Sequence, residues 1–523
     1  MMFPALLLLL ATCQAQTDLD STVATLRSLL EPVPPQGLPF PRIRGPNTSD
    51  RVCIVGAGPA GVHMALSLKR RGYSNLTIYE KSNRVGGMSF DINYRGVPQH
   101  MGTHLADPNY FDNLIPLAQE YGAGDLVKIP TANVWASNSG SQPGSQLLTS
   151  QYILGSLVAL TNSSSPQVNL GFLIQNVVRY VRLHKELFGS YSGDLMLQPS
   201  ARVMVRLRGT ILDFLTRENL LALVPIFKLS ITQPGYGYLD ETPALYGLIW
   251  NNPKLLIALA LRALKKDEDP MSVYILGNGY ENVWKRVVEK EGLNIQFDTD
   301  IYSIKRTYHG IDMKVWKDSY IQTTRCDFLI WTPDMSHLLR ALADASHKEW
   351  SIFRGLKTET YTTSLVNMRN ERRNGPQSVF MENLDRKVEG GVALEASMMG
   401  YFAPGIRTKE GLAEYNANNS EMKTTTVYQL SKSSDEQKLN NILRQHYTEG
   451  FNATDLEILN TISWRYFPRW SPREVEEGRH WQVSILAPTQ LVTRRPFCRC
   501  LSCRASTRCG TPGPLSPSSQ SGR

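Results

Sequence analysis

The chain has no run of apolar residues long enough to cross a bilayer, and its body has little charge excess and few cysteines. A spanning helix needs about 20 consecutive apolar residues, so no stable membrane insertion is expected. A formal charge of +9 invites an acidic partner. Six of those charges, however, are arginines from Arg494 onward, in a tail without Lys, Asp or Glu, which leaves +3 for everything before it. So neutral a body argues against nucleic acid as a partner.

Of the seven cysteines, Cys13 lies in the N-terminal apolar run, Cys53 in a predicted buried strand and Cys326 by itself, while Cys498, Cys500, Cys503 and Cys509 crowd the tail. The body therefore does not read as a disulfide scaffold. At 523 residues it is long enough for two connected domains. Among nine histidines there is no H-E-x-x-H and no Cys/His quartet, so no metal is expected. His100 and His104 are four apart, but the segment reads as an extended loop.

What is present begins with MMFPALLLLLATCQAQ, a short apolar run followed by small or compact residues at Cys13 and Ala15. It reads as a secretory signal over residues 1–15, which implies a secreted or luminal protein. Sequons at Asn47, Asn75, Asn162, Asn418 and Asn452 are then possible glycan sites.

The most informative stretch is VCIVGAGPAGVHMALSLKRRGYSNLTIYE, from Val52 to Glu80. Val52, Ile54 and Val55 read as a strand covered on both faces. Val62, Ala65, Leu66 and Leu68 keep helical spacing, and Gly72 ends that helix. Between strand and helix stands Gly56-Ala57-Gly58-Pro59-Ala60-Gly61. Gly56 permits the tight turn, Gly58 lets backbone approach a pyrophosphate, and Gly61 lets helix and strand pack closely. Leu76–Tyr79 is a second strand, and Glu80 at its tip is placed to accept from ribose hydroxyls.

The continuation Glu80-Lys81-Ser82-Asn83-Arg84-Val85-Gly86-Gly87 resembles the second signature of the flavin-containing amine oxidase family. The resemblance implies FAD, with Arg84, Gly86 and Gly87 against its phosphates and flavin. Where that family often carries Arg after the glycine pair, this chain has Met88. Val97–His104 is similar to the family's segment beside the isoalloxazine, which assigns Met101, Gly102 and Thr103 to the cofactor. Tyr274–Tyr280 and a helix to Glu291 resemble the return into the FAD domain. Ile301, in the turn after Asp298-Thr299-Asp300, matches the residue whose backbone meets adenine. No cysteine stands near an expected flavin contact, so binding should be non-covalent.

The resemblance implies an α/β fold: a discontinuous Rossmann-type FAD-binding domain (48–130, 270–345 and 456–490) with an interleaved α+β substrate domain (131–269 and 346–455). Leu255–Leu261 is apolar on every helical face and reads as core, the wall of an apolar tunnel or a membrane-surface contact. Pro234-Gly235-Tyr236-Gly237-Tyr238 and Trp464-Arg465-Tyr466-Phe467-Pro468-Arg469-Trp470 are aromatic clusters that suit either core or pocket wall.

From Leu491 the pattern breaks. Arg, Cys, Ser, Pro and Gly replace the strand and helix that close the flavin site in the family, and no strand is expected there. A cysteine metal site, a disordered basic tail and an altered C-terminus are the competing readings. The implied function is oxidation of a small-molecule substrate, amine or lipophilic, by hydride transfer to flavin N5 with oxygen as acceptor. Isomerisation or desaturation of a polyunsaturated lipophilic substrate is the alternative. A catalytically impaired chain without the last FAD-binding segment is the third reading.

Overall fold

The computed structural model describes residues 21–37, 45–94, 96–106, 112–129, 133–136, 145–191, 196–263, 273–369, 377–397, 422–482 and 491–493. The expected signal segment, the Asn418 sequon and the tail cysteines lie outside the described residues.

Val52, Cys53, Ile54 and Val55 are all buried, as a strand covered on both faces must be. This strand is the centre of a five-stranded parallel sheet in the order 491–493, 328–331, 52–55, 76–79, 295–296. The helix Pro59–Lys69 connects its two central strands. A three-stranded antiparallel meander (Asp300–Thr307, Gly310–Lys317, Tyr320–Cys326) precedes the strand Phe328–Trp331.

Two expectations need correction here. Leu491–Thr493 is not irregular: it pairs in parallel with Leu329–Trp331 and forms the edge of the sheet. Leu491 and Val492 are an apolar pair ahead of the arginines, and the strand beside them offers an open ladder of hydrogen bonds. Cys53 and Cys326, unrelated by spacing, form a disulfide across a separation of 273 residues. Asp327 brings them together: its N–H donates to Arg51 O at 2.9 Å, while its carboxylate accepts from Arg51 N at 2.8 Å.

The second large sheet has seven strands in the order 454–469, 357–369, 423–431, 392–396, 377–380, 133–136, 145–148. Thr454–Arg469 is thus a member of this sheet, although residues from 456 onward were assigned by sequence to the FAD domain. One face is covered by the helix Glu436–Phe451, whose Leu443, Tyr447 and Phe451 pack on Val366, Phe380 and Val427. The other face is turned toward residues 100–104. Beside the sheet lies a helical layer led by the 23-residue helix Pro166–Phe188. Leu255, Leu256, Ile257 and Ala260 of the helix Pro253–Ala263 are buried against it, so this stretch is core. No single helix among the described residues is long and apolar enough to cross a membrane.

Candidate cofactor and substrate site

The turn from Val55 to Pro59 is shaped by contacts that only glycine allows. A Cβ on Gly61 would lie 1.9 Å from Gly56 O, so helix and strand could not pack with any larger residue there. The helix Pro59–Lys69 starts after Gly58, with Pro59 in its first turn, no side-chain cap and no acidic residue within that turn. A helix start of this kind leaves N–H groups and a positive dipole end for a phosphate. Ala60 is half-buried beside it.

Glu80 closes the cradle. Its Oε2 accepts from Ala57 N–H at 2.7 Å, and its Oε1 from the N–H and hydroxyl of Ser82 at 2.9 and 2.8 Å. Three of about four lone-pair directions are used, which leaves one for a ribose hydroxyl. The same turn holds the next strand pair: Thr299 N–H donates to Glu80 O and Asp298 N–H to Ser82 O. That brings Ile301, half-buried at the start of the meander, to the Glu80 side of the cradle. Lys81 is exposed.

Gly86 and Gly87 both have positive φ, and Gly86 N–H donates to Ala57 O at 2.9 Å. Arg84 clasps this loop: its guanidinium donates to Gly87 O at 2.7 Å and lies 4.3 Å from the centre of the Phe90 ring. Met88 contributes its backbone, with Met88 O accepting from Thr103 N–H at 3.0 Å. A Cβ on Gly102 would sit 1.8 Å from that same oxygen. Met101 is fully buried, and its carbonyl accepts from the Trp464 indole at 2.8 Å. Thus the glycine turn, Glu80, Arg84, Gly86, Gly87 and the Met88–Thr103 segment are tied into one cradle, with Ala60 and Ile301 half-buried near it and Lys81 exposed. The cradle's glycine contacts and uncapped helix start fit a dinucleotide.

Sequence reasoning missed the opposite wall. His100 Nδ1 meets Asp91 Oδ1 at 2.5 Å, and Tyr428 donates to His100 O at 2.6 Å. His104, buried one residue after Thr103, meets Gln377 Nε2 through its Nε2 at 2.9 Å. Burial, and then the neighbouring His100, hold the His104 pKa well below its usual value, so the ring stays neutral. Thr363 and Thr426 lie on the same face of the seven-stranded sheet as Tyr428, by register. Thr363 Oγ1, Thr426 Oγ1 and His104 Nδ1 are buried without a hydrogen-bond partner. Orphaned polar atoms facing one space point to a ligand there. Residues from strands remote in sequence build this wall, so no local pattern could have shown it. Only Val97–His104 offered a signal.

The same face carries a ladder of stacked rings. Tyr428 and Tyr361 are 5.7 Å apart, Tyr361 and Tyr466 5.7 Å, and Tyr466 and Tyr236 5.3 Å. Burial raises the Tyr361 and Tyr428 hydroxyls well above the usual phenol range, so both remain protonated. The two aromatic clusters noted in the sequence therefore meet, Tyr236 of one stacking on Tyr466 of the other.

A central parallel sheet, a glycine cradle at its first turn and a second sheet facing residues 100–104 define a flavoprotein fold. The chain belongs to the flavin containing amine oxidoreductase family, whose sequence profile matches residues 59–389. The glycine cradle fits the FAD of that family. The chain is 23% identical over 308 residues to the polyenoic fatty acid isomerase of Ptilota filicina, which covers 56% of this chain and 58% of that protein. The match therefore spans less than two thirds of that relative. In fold it is similar to the CLA-producing fatty acid isomerase from P. acnes, with a TM-score of 0.68 at 16% identity, covering 87% of this chain and 97% of that one. A putrescine oxidase triple mutant superposes with a TM-score of 0.54 at 12% identity, over 85% and 93%.

Proposed function

We propose that this chain acts on a lipophilic, unsaturated substrate, as an isomerase or desaturase of a polyene chain. The observation that carries the reading is the uncharged wall of the site. Between Tyr361 and Asn367 and across their partners Thr424–Leu430, the site-facing side chains are Tyr, Thr, Leu and Asn, without a carboxylate or a cation. The nearest carboxylates are taken, Asp91 by His100 and Glu359 by Arg469, so an alkyl amine would find no free counter-charge there, whereas an apolar chain needs none. The likeness to the polyenoic fatty acid isomerase supports the same direction.

FAD, when bound, supplies a two-electron acceptor that can take hydride from an activated C–H bond and give it back. The protein's own part is to hold the chain straight and dry. The Tyr428–Tyr361–Tyr466 ladder offers flat faces on which double bonds can lie, and the neutral His104 adds no charge that would hold water. The Trp464–Met101 hydrogen bond fixes the sheet against the cofactor segment.

A secretory location is proposed with it. The Cys53–Cys326 disulfide suits an oxidising compartment, and Asn47, Asn75, Asn162 and Asn452 are all exposed.

The test is to mix FAD-loaded protein anaerobically with linoleic acid and with its methyl ester and, separately, to expose it to amines in air. Conjugated-diene absorbance without net flavin reduction is the expected result. Peroxide release with amines, and no absorbance change with polyenes, would replace this reading with amine oxidation.

A further inference from the structure

At the far end of the tyrosine ladder the chain spends conformational energy on a single arginine. Phe467 has φ of 52°, a region that a bulky aromatic residue seldom enters, and two residues later Arg469 is 6% exposed. Its Nη2 donates to Glu359 Oε1 at 2.6 Å, with Arg469 buried and Glu359 largely covered. Gly237 (φ +104°) makes the close approach possible, since a Cβ there would lie 2.8 Å from Arg469 Nη2 and from Thr242 Oγ1. Tyr236, one residue earlier, stacks on Tyr466 and meets Phe467 edge-on at 4.6 Å. Arg469 Nη1, equally buried, has no hydrogen-bond partner.

We infer that Arg469 Nη1 holds the polar head of the substrate, and that this head is an uncharged oxygen: an ester or ketone carbonyl, or a hydroxyl. The inference rests on the lipophilic-substrate reading. A buried guanidinium with a spare N–H is costly unless an acceptor takes it. The charge state of the site then decides which acceptor. Glu359 already neutralises the guanidinium, so a carboxylate head would leave one net negative charge in a desolvated place. A carbonyl or hydroxyl oxygen takes the hydrogen bond and leaves the pair neutral. The geometry suits a chain lying along the ladder: Arg469 is five residues beyond Trp464 on one strand, roughly 15 Å at the usual rise per residue.

The experiment measures binding of linoleic acid, its methyl ester and a hydrocarbon polyene of equal length to FAD-loaded protein, by tryptophan fluorescence at pH 8. The wild-type chain should bind the ester at least tenfold more tightly than either other ligand. Glu359→Gln keeps the shape and frees the positive charge, so it should raise the affinity for the free acid tenfold or more. The pair Glu359→Leu with Arg469→Met avoids stranding a buried charge and should abolish the ester's advantage over the hydrocarbon. Circular dichroism and FAD content show that both variants fold. Equal binding of the three ligands, or ratios that neither variant moves, overturns the head-group assignment and leaves the substrate reading standing. Failure of all three to bind overturns both.

Discussion

Gly58 and Gly87 face each other at the mouth of the cradle so closely that a Cβ on Gly87 would lie 2.9 Å from Gly58 Cα. Two loops that are 29 positions apart in the chain meet here with no side chain between them. Gly87→Ala should cost about 1–3 kcal/mol, because φ of +54° and the contact both oppose it. FAD per chain after purification should fall by more than half. Gly72→Ala is the control: φ is +89°, but nothing lies within 4 Å, so it should lose stability and keep FAD. Equal loss of FAD in both variants would remove the cradle from the argument.

Glu80 fastens the glycine turn to the second strand through Ala57 and Ser82. Glu80→Gln replaces one of the two accepting oxygens with a donor. We expect the dissociation constant for FAD to rise at least tenfold, with about 1–3 kcal/mol lost from the cofactor-free protein. Isothermal titration and denaturant melts separate the two effects.

The Cys53–Cys326 bond closes a loop of 273 residues whose two ends lie at the parallel sheet. Its removal as the Cys53→Ala, Cys326→Ala pair should cost about 2–5 kcal/mol, seen as a lower denaturation midpoint. Dithiothreitol should produce the same fall in the wild-type protein and no change in the double variant.

Acid should destabilise the fold before its carboxylates titrate. Burial pushes His184 and His446 down to about 4 from an ordinary 6.5. Both are neutral in the folded chain, while the unfolded chain takes up protons below 6.5. Stability is therefore full above about pH 7 and is lost progressively from 6.5 toward 4, by roughly 3 kcal/mol for each ring. The His446 ring packs among Phe380, Tyr447 and Phe451, so His446→Phe should keep the fold and flatten part of that acid limb. An unchanged pH profile in the variant would exclude His446 as a source.

The cradle was legible because its chemistry is local: turn, helix start and carboxylate lie within thirty residues, and each glycine has a steric reason. The opposite wall was not, since Gln377 and Tyr428 are ordinary strand residues until the sheet sets them against His104, with Thr363 and Thr426 on the Tyr428 face. The aromatic clusters could be seen in sequence but their meeting could not, as nothing in either predicts that Tyr236 stacks on Tyr466. Spacing also misled. Cys53 and Cys326 are neighbours only because Asp327 turns the chain back beside Arg51. Leu491–Thr493 was hidden by the composition that follows it, although a three-residue strand needs only an open edge to pair with.

The strand Thr454–Arg469 has one further consequence. It carries both Trp464, bonded to the cofactor segment, and Arg469, so the interval between these two points is written in covalent backbone. Domain movement would carry both ends together and leave that interval unchanged. With the head of a bound chain held at Arg469, such a strand works as a ruler: which carbon is presented for reaction would be counted from that residue.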